Sequence, residues 1–229
     1  MPVLALDTSA AVAVALVDDA GAVLAARAVD EDRHHAELLA PMVEGVLADA
    51  DVDRRALTAV VAGTGPAPFT GLRVGLVTAR TLALALGIPA LGVPSLDALA
   101  AAASRTLPAG TRVLVATDAR RREVYSALYR VDGPGAVTVL DAPRVGPAAD
   151  AVAALDGPGR TVVVGRGAAL YPDAFAGLEA DGSVIVPDPA ELARLAVARR
   201  SAGEELDTAP LYLRRPDAVP SAGSKRVLG

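Results

Sequence analysis

Val3-Leu4-Ala5-Leu6-Asp7-Thr8-Ser9 reads as a short buried strand running into a polar turn. The pattern returns as Val113-Leu114-Val115-Ala116-Thr117-Asp118, which puts the two aspartates about half a chain apart. The segments after each copy repeat as well. After Asp7 come apolar runs over 12–17 and 22–29, parted by Asp18-Asp19-Ala20-Gly21. After Asp118 come runs over 124–131 and 136–140, parted by Asp132-Gly133-Pro134-Gly135. Turn residues between apolar runs mark a meander. The same order of strand, aspartate, turn, strand, turn, strand, met twice, predicts an internal duplication.

Between the copies the period changes. Leu38, Leu39, Met42, Val43, Val46 and Leu47 fall at helical spacing within 35–50. Residues 58–62 read as a strand and 72–86 as a helix stopped by Gly87-Ile88-Pro89. A strand over 90–93 and a helix capped by Ser95 and running to about 104 come next. The second half predicts helices over 148–155 and 190–200 and a strand over 161–164. This order predicts an α/β protein of duplicated ribonuclease-H-like lobes, the architecture of the actin, sugar-kinase and heat-shock-ATPase superfamily. The expected lobes are 1–107 and 108–215, with a polar tail over 216–229.

Composition narrows the chemistry. The 229 residues are 52% hydrophobic and 21% charged, which excludes a disordered chain. Cysteine is absent, so disulfides, thiolate metal sites and cysteine nucleophiles are excluded. Lys225 is the only lysine, and the two histidines, His34 and His35, are adjacent. Neighbours on a helix point about 100° apart and cannot easily share one ion. Aromatics are 3% and the net charge is −5, which argues against a base-stacking platform or a wholly basic nucleic-acid surface. No leader is visible, and the apolar stretch 72–91 is broken by Arg73, Arg80, Gly87 and Pro89. A cytoplasmic protein without membrane contact is expected.

In the superfamily named above, the turn after each lobe's first strand faces a cleft. Asp7, Thr8 and Asp118 therefore join Gly63, Gly65, Thr70 and Gly71 of the loop Gly63-Thr64-Gly65-Pro66-Ala67-Pro68-Phe69-Thr70-Gly71 as a candidate nucleotide or anion cleft. A glycine loop entering a helix can bind anions, but this one is neither a P-loop nor a dinucleotide fingerprint. The plainer alternative is a tight connection. Thr70 would cap the helix, Phe69 would wedge the loop onto a lobe, and the aspartates would accept turn N–H groups. The helix over 72–86 is apolar on more than one face, so it needs cover on two sides. Its Leu72, Val74, Leu76, Val77, Arg80 and Leu84, with His35, Leu38, Leu39, Met42, Val43 and Val46 of the preceding helix, form the expected partner surface. Arg120-Arg121-Arg122 could meet phosphate, but beside Glu123 on an acidic chain it reads first as a solvated turn.

The loop and helix start, Gly63 to Gly75, resemble the diagnostic stretch of the TsaB, or YeaZ, family. So do the opening Leu4-Ala5-Leu6-Asp7-Thr8-Ser9, the helix over 35–50, residues 88–99 and Val115-Ala116-Thr117-Asp118-Ala119-Arg120-Arg121-Arg122-Glu123-Val124-Tyr125. Ala209-Pro210-Leu211-Tyr212-Leu213-Arg214 resembles the family's closing element. The resemblance implies a non-catalytic partner of TsaD in forming threonylcarbamoyladenosine on tRNA. Pairing would run through the first two helices, and TsaE, a small P-loop ATPase, would join. It implies no cofactor of the subunit's own, with ATP and magnesium as candidate ligands of the complex, tRNA met indirectly, and self-association as a homodimer. TsaD-type proteins carry His-x-x-x-His on the helix that here reads Pro94-Ser95-Leu96-Asp97-Ala98-Leu99-Ala100-Ala101, which has no histidine. The alternatives are a nucleotide-dependent phosphotransferase or ATPase of the same superfamily and, further off, a metallopeptidase-like hydrolase.

Overall fold

The computed structural model describes residues 2–30 and 35–214, the side chain of His35 excepted. His34 and the tail over 216–229 therefore lie outside the described residues. β1 (Val3–Asp7), β2 (Val12–Val17) and β3 (Val23–Val29) form the first meander. α1 (His35–Asp49), β4 (Ala59–Gly63), α2 (Phe69–Leu86), β5 (Ala90–Val93) and α3 (Ser95–Ser104) complete the first half. β6 (Arg112–Asp118), β7 (Glu123–Gly133) and β8 (Ala136–Pro147) form the second meander. α4 (Ala148–Ala153), β9 (Thr161–Val164), α5 (Arg166–Leu170), α6 (Pro172–Phe175), β10 (Glu179–Ala180) and α7 (Pro189–Ser201) complete the second half.

The sheets run β3-β2-β1-β4-β5 and β10-β9-β6-β7-β8. Counted from its own first strand, each has the order 3-2-1-4-5. In each, the first strand pairs antiparallel with the second and parallel with the fourth. The duplication is therefore topological as well as sequential, and the fold is the expected ribonuclease-H-like pair.

Strand alternation sorts the core into layers. Leu4 and Leu6 of β1 face α1 and α2, packing with Leu39, Met42, Val46, Leu72 and Leu76. Val3 and Ala5 face the opposite way, onto Ala98 and Ala101 of α3 and Leu192 and Ala196 of α7. The other side of α3, Leu96, Leu99 and Ala103, packs on Val113, Val115 and Tyr129 of the second sheet. Leu114 and Val163 on that sheet's far face meet Ala148, Ala151 and Phe175. The first sheet's strands end at Val93 and the second's begin at Arg112, but α7, from the end of the second half, seals the first sheet. Two buried carboxylates fasten this middle layer. Asp97 accepts from Tyr129 Oη at 2.8 Å and from Arg199 at 2.6 Å, and Glu191 is held by Arg105 and Arg194. Burial, then the Asp97 charge, pushes the Tyr129 hydroxyl's pKa far up, so it stays a donor.

Several expectations need correction. α2 starts at Phe69, and Thr70 does not cap it: Pro68 is the N-cap residue, without a side-chain bond. Its extended ψ of 137° already turns the chain into the helix. Ser95 is likewise the first helical residue behind Pro94, and its hydroxyl is used elsewhere. β8 runs to Pro147 instead of ending near 140. β8 is an edge strand, which can hold Pro143, and a register shift opposite Ala127 takes up the extra residues. α2 has the length and apolarity to cross a membrane despite Arg73 and Arg80. Here it lies on the first sheet, with Leu72, Gly75, Leu76, Ala79 and Ala83 buried.

One polar knot holds the first sheet's working edge. Asp7, 1% exposed, accepts from Ser9 N at 2.7 Å and Ser9 Oγ at 2.5 Å on Oδ1, and from Ser95 Oγ at 2.6 Å on Oδ2. Ser95 Oγ in turn accepts from Gly65 N at 3.2 Å. A Cβ at residue 63 would collide with Asp7 Oδ2, so glycine is required there. Gly63→Ala should lower unfolding stability by about 1–3 kcal/mol, the cost of leaving a buried polar group unsatisfied, as measured by urea denaturation. Burial raises the Asp7 pKa, against the Ser9 and Ser95 bonds that lower it. The folded state thus holds its proton more tightly than the unfolded state. The stability this group gives is lost as pH rises from about 4 through the folded value. Asp7→Asn should therefore gain on the parent as pH rises above about 4 in paired denaturation curves, and parallel curves would refute this.

Candidate functional site

The two aspartates of the duplication make the same local bond. Asp7 Oδ1 accepts from Ser9 N, and Asp118 Oδ1 accepts from Arg120 N, each at 2.7 Å and each two residues on. Both are Asx turns. Their settings differ. Asp7 is buried with both oxygens engaged, while Asp118 is partly exposed and lies 3.4 Å from the Arg120 guanidinium.

A cavity of about 480 Å³ opens between the two turns. Of the candidate cleft residues, Thr8, Thr70, Gly71 and Asp118 line it. Asp7, Gly63 and Gly65 do not line it: they form the knot beneath its floor. Thr8 is itself committed, donating to Gly71 O at 2.8 Å and accepting from Gly75 N at 3.1 Å. Ser9, Glu37, Arg120 and Arg166 complete the polar wall. Arg166 reaches across to Asp30 at 2.5 Å, so the wall's cations already have carboxylate partners.

These residues do not fit a carboxylate-held magnesium of the kind the superfamily implies. The first-lobe carboxylate does not line the cavity and both its oxygens bond to protein donors, and the second-lobe one sits against a guanidinium. Among the described residues, no cluster of three or more His, Asp or Glu could hold a metal ion. The helix that would need His-x-x-x-His, α3, is almost wholly buried between the sheets. No reaction step is therefore derived through such a group.

The expected partner surface divides in two. Leu39, Met42, Val43, Val46, Leu72 and Leu76 are buried in the first lobe's own core and offer nothing to a partner. They answer to the sheet, because α1 and α2 each turn their most continuous apolar stripe inward. Leu38 and Val74 are half-buried against that core. Val77 and Leu84 stand on the outer face, 60% and 84% exposed. Arg80 is tied back, its guanidinium donating to Thr208 Oγ1 at 2.7 Å and Thr208 O at 2.6 Å. The side chain of His35 lies outside the described residues.

The segment over 205–214 was legible only as a family-like closing element. It works as a strap. Gly92 N donates to Leu206 O and Leu211 N to Thr64 O. Tyr212 packs on Phe69 at 4.7 Å between ring centroids, and Arg73 Nε donates to the Tyr212 hydroxyl at 2.9 Å. Phe69 thus meets the strap. At its end, Arg214 donates to Ala119 O at 2.9 Å and pairs with Glu123, reaching the second lobe's turn.

In that turn Arg120, Arg121 and Arg122 have φ of 62°, 54° and 63°. A left-handed conformation costs an L-residue about 1–2 kcal/mol, and non-glycine residues adopt it mostly singly. The reading of an ordinary solvated turn missed this, because nothing in three arginines signals positive φ.

The sequence matches the family described as TsaD, tRNA N6-adenosine threonylcarbamoyltransferase, over residues 26–176. It is 34% identical over 196 residues to the tRNA threonylcarbamoyladenosine biosynthesis protein TsaB of Escherichia coli, covering 80% of this chain and 81% of that protein. The structure superposes on YeaZ from Pseudomonas aeruginosa with a TM-score of 0.77 and 32% identity, over 93% of this chain and 99% of that one. Component A of (R)-2-hydroxyglutaryl-CoA dehydratase from Acidaminococcus fermentans has a TM-score of 0.54 at 10% identity, covering 88% of this chain and 99% of that one, a likeness of fold alone. With the duplicated lobes, the Asx turns and the strap in place, the chain belongs to the TsaB (YeaZ) family, a relative of the TsaD-type transferases.

Proposed function

We propose that the chain is a supporting, non-catalytic subunit in the formation of threonylcarbamoyladenosine on tRNA. It docks a TsaD-type transferase through the outer strip of α2. The observation that carries this reading is that strip, where Val77 and Leu84 stand in solvent on a helix whose other face is fully used by its own lobe. Large apolar side chains left exposed on one element mark a contact surface. The name of the Escherichia coli relative supplies the pathway. The subunit acts by holding and ordering the transferase, and turnover belongs to the partner. TsaE joins that assembly, and tRNA reaches the subunit through it. The same strip serves self-association when the transferase is absent.

Burying a leucine side chain stabilises by about 1.5–3 kcal/mol, or roughly 10- to 150-fold in affinity. Leu84→Asp should weaken the complex with the transferase by at least that factor while leaving the chain's own melting curve unchanged. Sedimentation and thermal denaturation measure the two. Met42→Asp, by contrast, should destabilise the lobe itself, since Met42 is buried against the sheet. An undiminished complex with Leu84→Asp would place the docking surface elsewhere.

The subunit carries no nucleotide cofactor of its own in this reading. The engagement of both Asp7 oxygens by Ser9 and Ser95, away from the cavity lining, supports that. Calorimetric titration of the isolated chain with ATP and magnesium should give no saturable heat. Tight binding followed by hydrolysis would favour a phosphotransferase or ATPase instead.

A further inference from the structure

The hairpin turn between β6 and β7 keeps charge where its backbone calls for other residues. Ala119 N donates to Glu123 O and Glu123 N donates to Arg120 O, both at 3.0 Å, so the turn is tight and closed. Tight hairpin turns with positive φ at their central residues belong to Asn-Gly or Asp-Gly. Among the described residues, glycine fills nine other positive-φ positions of this chain, yet arginine fills three in a row here. A composition that uses glycine so freely did not lack the easier solution. Backbone held in a disfavoured region persists where its surroundings fix it, and such places cluster at ligand clamps.

The surroundings do fix it. Asp118 accepts from Arg120 N on the entry side. On the exit side, Arg214 of the strap donates to Ala119 O and pairs with Glu123. All three arginines are exposed, and Arg120 also lines the mouth of the cavity between the lobes. The result is a run of three exposed arginines on a fixed backbone, Arg120 also paired with Asp118, on a chain whose net charge is −5.

We propose that the turn over residues 120–122 is a phosphate-contact element that grips the backbone of the tRNA brought to the assembly. The guanidinium fork matches phosphate oxygens in a bidentate way that lysine cannot. Phosphates along an RNA strand recur at near-regular spacing, which a run of arginines on a fixed backbone can meet with only its side chains left to order. Flexible carboxylates of an acidic polypeptide do not need a backbone fixed at the expense of conformational energy. The proposal rests on the functional reading above for the identity of the RNA, and it goes beyond that reading by giving this subunit a direct contact.

The test uses the full chain, alone and assembled with its transferase, titrated with unmodified tRNA across a range of salt concentrations. Arg121→Asn with Arg122→Gly supplies the residues the turn prefers. It should leave the melting temperature equal or higher and weaken tRNA binding about tenfold or more at low salt. The slope of log affinity against log salt should become shallower by about 1 to 2. Arg121→Gln with Arg122→Gln, which keeps the backbone strain, should lose the same affinity without the gain in stability. Unchanged affinity and slope in a folded variant would overturn the proposal. So would a variant whose transferase complex loosens while tRNA binding by the chain alone is preserved, since the turn would then be a protein-docking element. If the parent forms no complex, the functional reading fails, and the titration of the chain alone still decides the turn.

Discussion

One carboxylate, that of Asp7, is the constraint on which the first lobe's edge depends. It joins the end of β1 to its own turn through Ser9, to the start of α3 through Ser95 and, through that same hydroxyl, to the loop after β4 at Gly65. Three segments far apart in sequence meet on a buried group. Both of its oxygens accept hydrogen bonds from the protein, and the absence of a side chain at Gly63 gives it room.

Much of this architecture is legible in the sequence because local signals agree with one another. The strand over 90–93 and the helix over 95–104 are bounded by Gly87, Pro89 and Pro94, and the chain obeys those stops. The repeat of Asp7 at Asp118 announces the duplication, and the structure carries it down to the same Asx bond. What sequence cannot supply is direction. Ser95 looks like a cap, and only the parallel pairing of β1, β4 and β5 brings its hydroxyl to Asp7. On α2, Leu76 and Val77 are neighbours of similar character, and the geometry of the sheet alone decides that one is core and the other surface. The short α5, α6 and β10 left no periodic trace, since four or five residues cannot display a period.

The lobes, though duplicated, have diverged in what they keep open. The first lobe buries its turn and spends its outer helix on an apolar strip. The second leaves its turn exposed and lines it with charge. The strap ties these unlike ends together, touching the β4 loop, the start of α2 and the β6–β7 turn in succession. Displacing any one of them shifts the bonds that place the others, so the apolar strip and the basic turn are held in a fixed mutual arrangement.

The path of α7 has a consequence for biosynthesis. Val3, Ala5, Ala15 and Val61 on one face of the first sheet are covered by residues that come from 190–196. While the ribosome is still making the second half, that face has only α3 to lean on. The amino-terminal half therefore cannot finish folding as it emerges, and a bare patch of valine and alanine waits for most of the synthesis time. Emergence of α7, not completion of the first repeat, sets the moment at which the molecule closes. A truncation before residue 189 would strip the first lobe of its cover while leaving every one of its own strands intact.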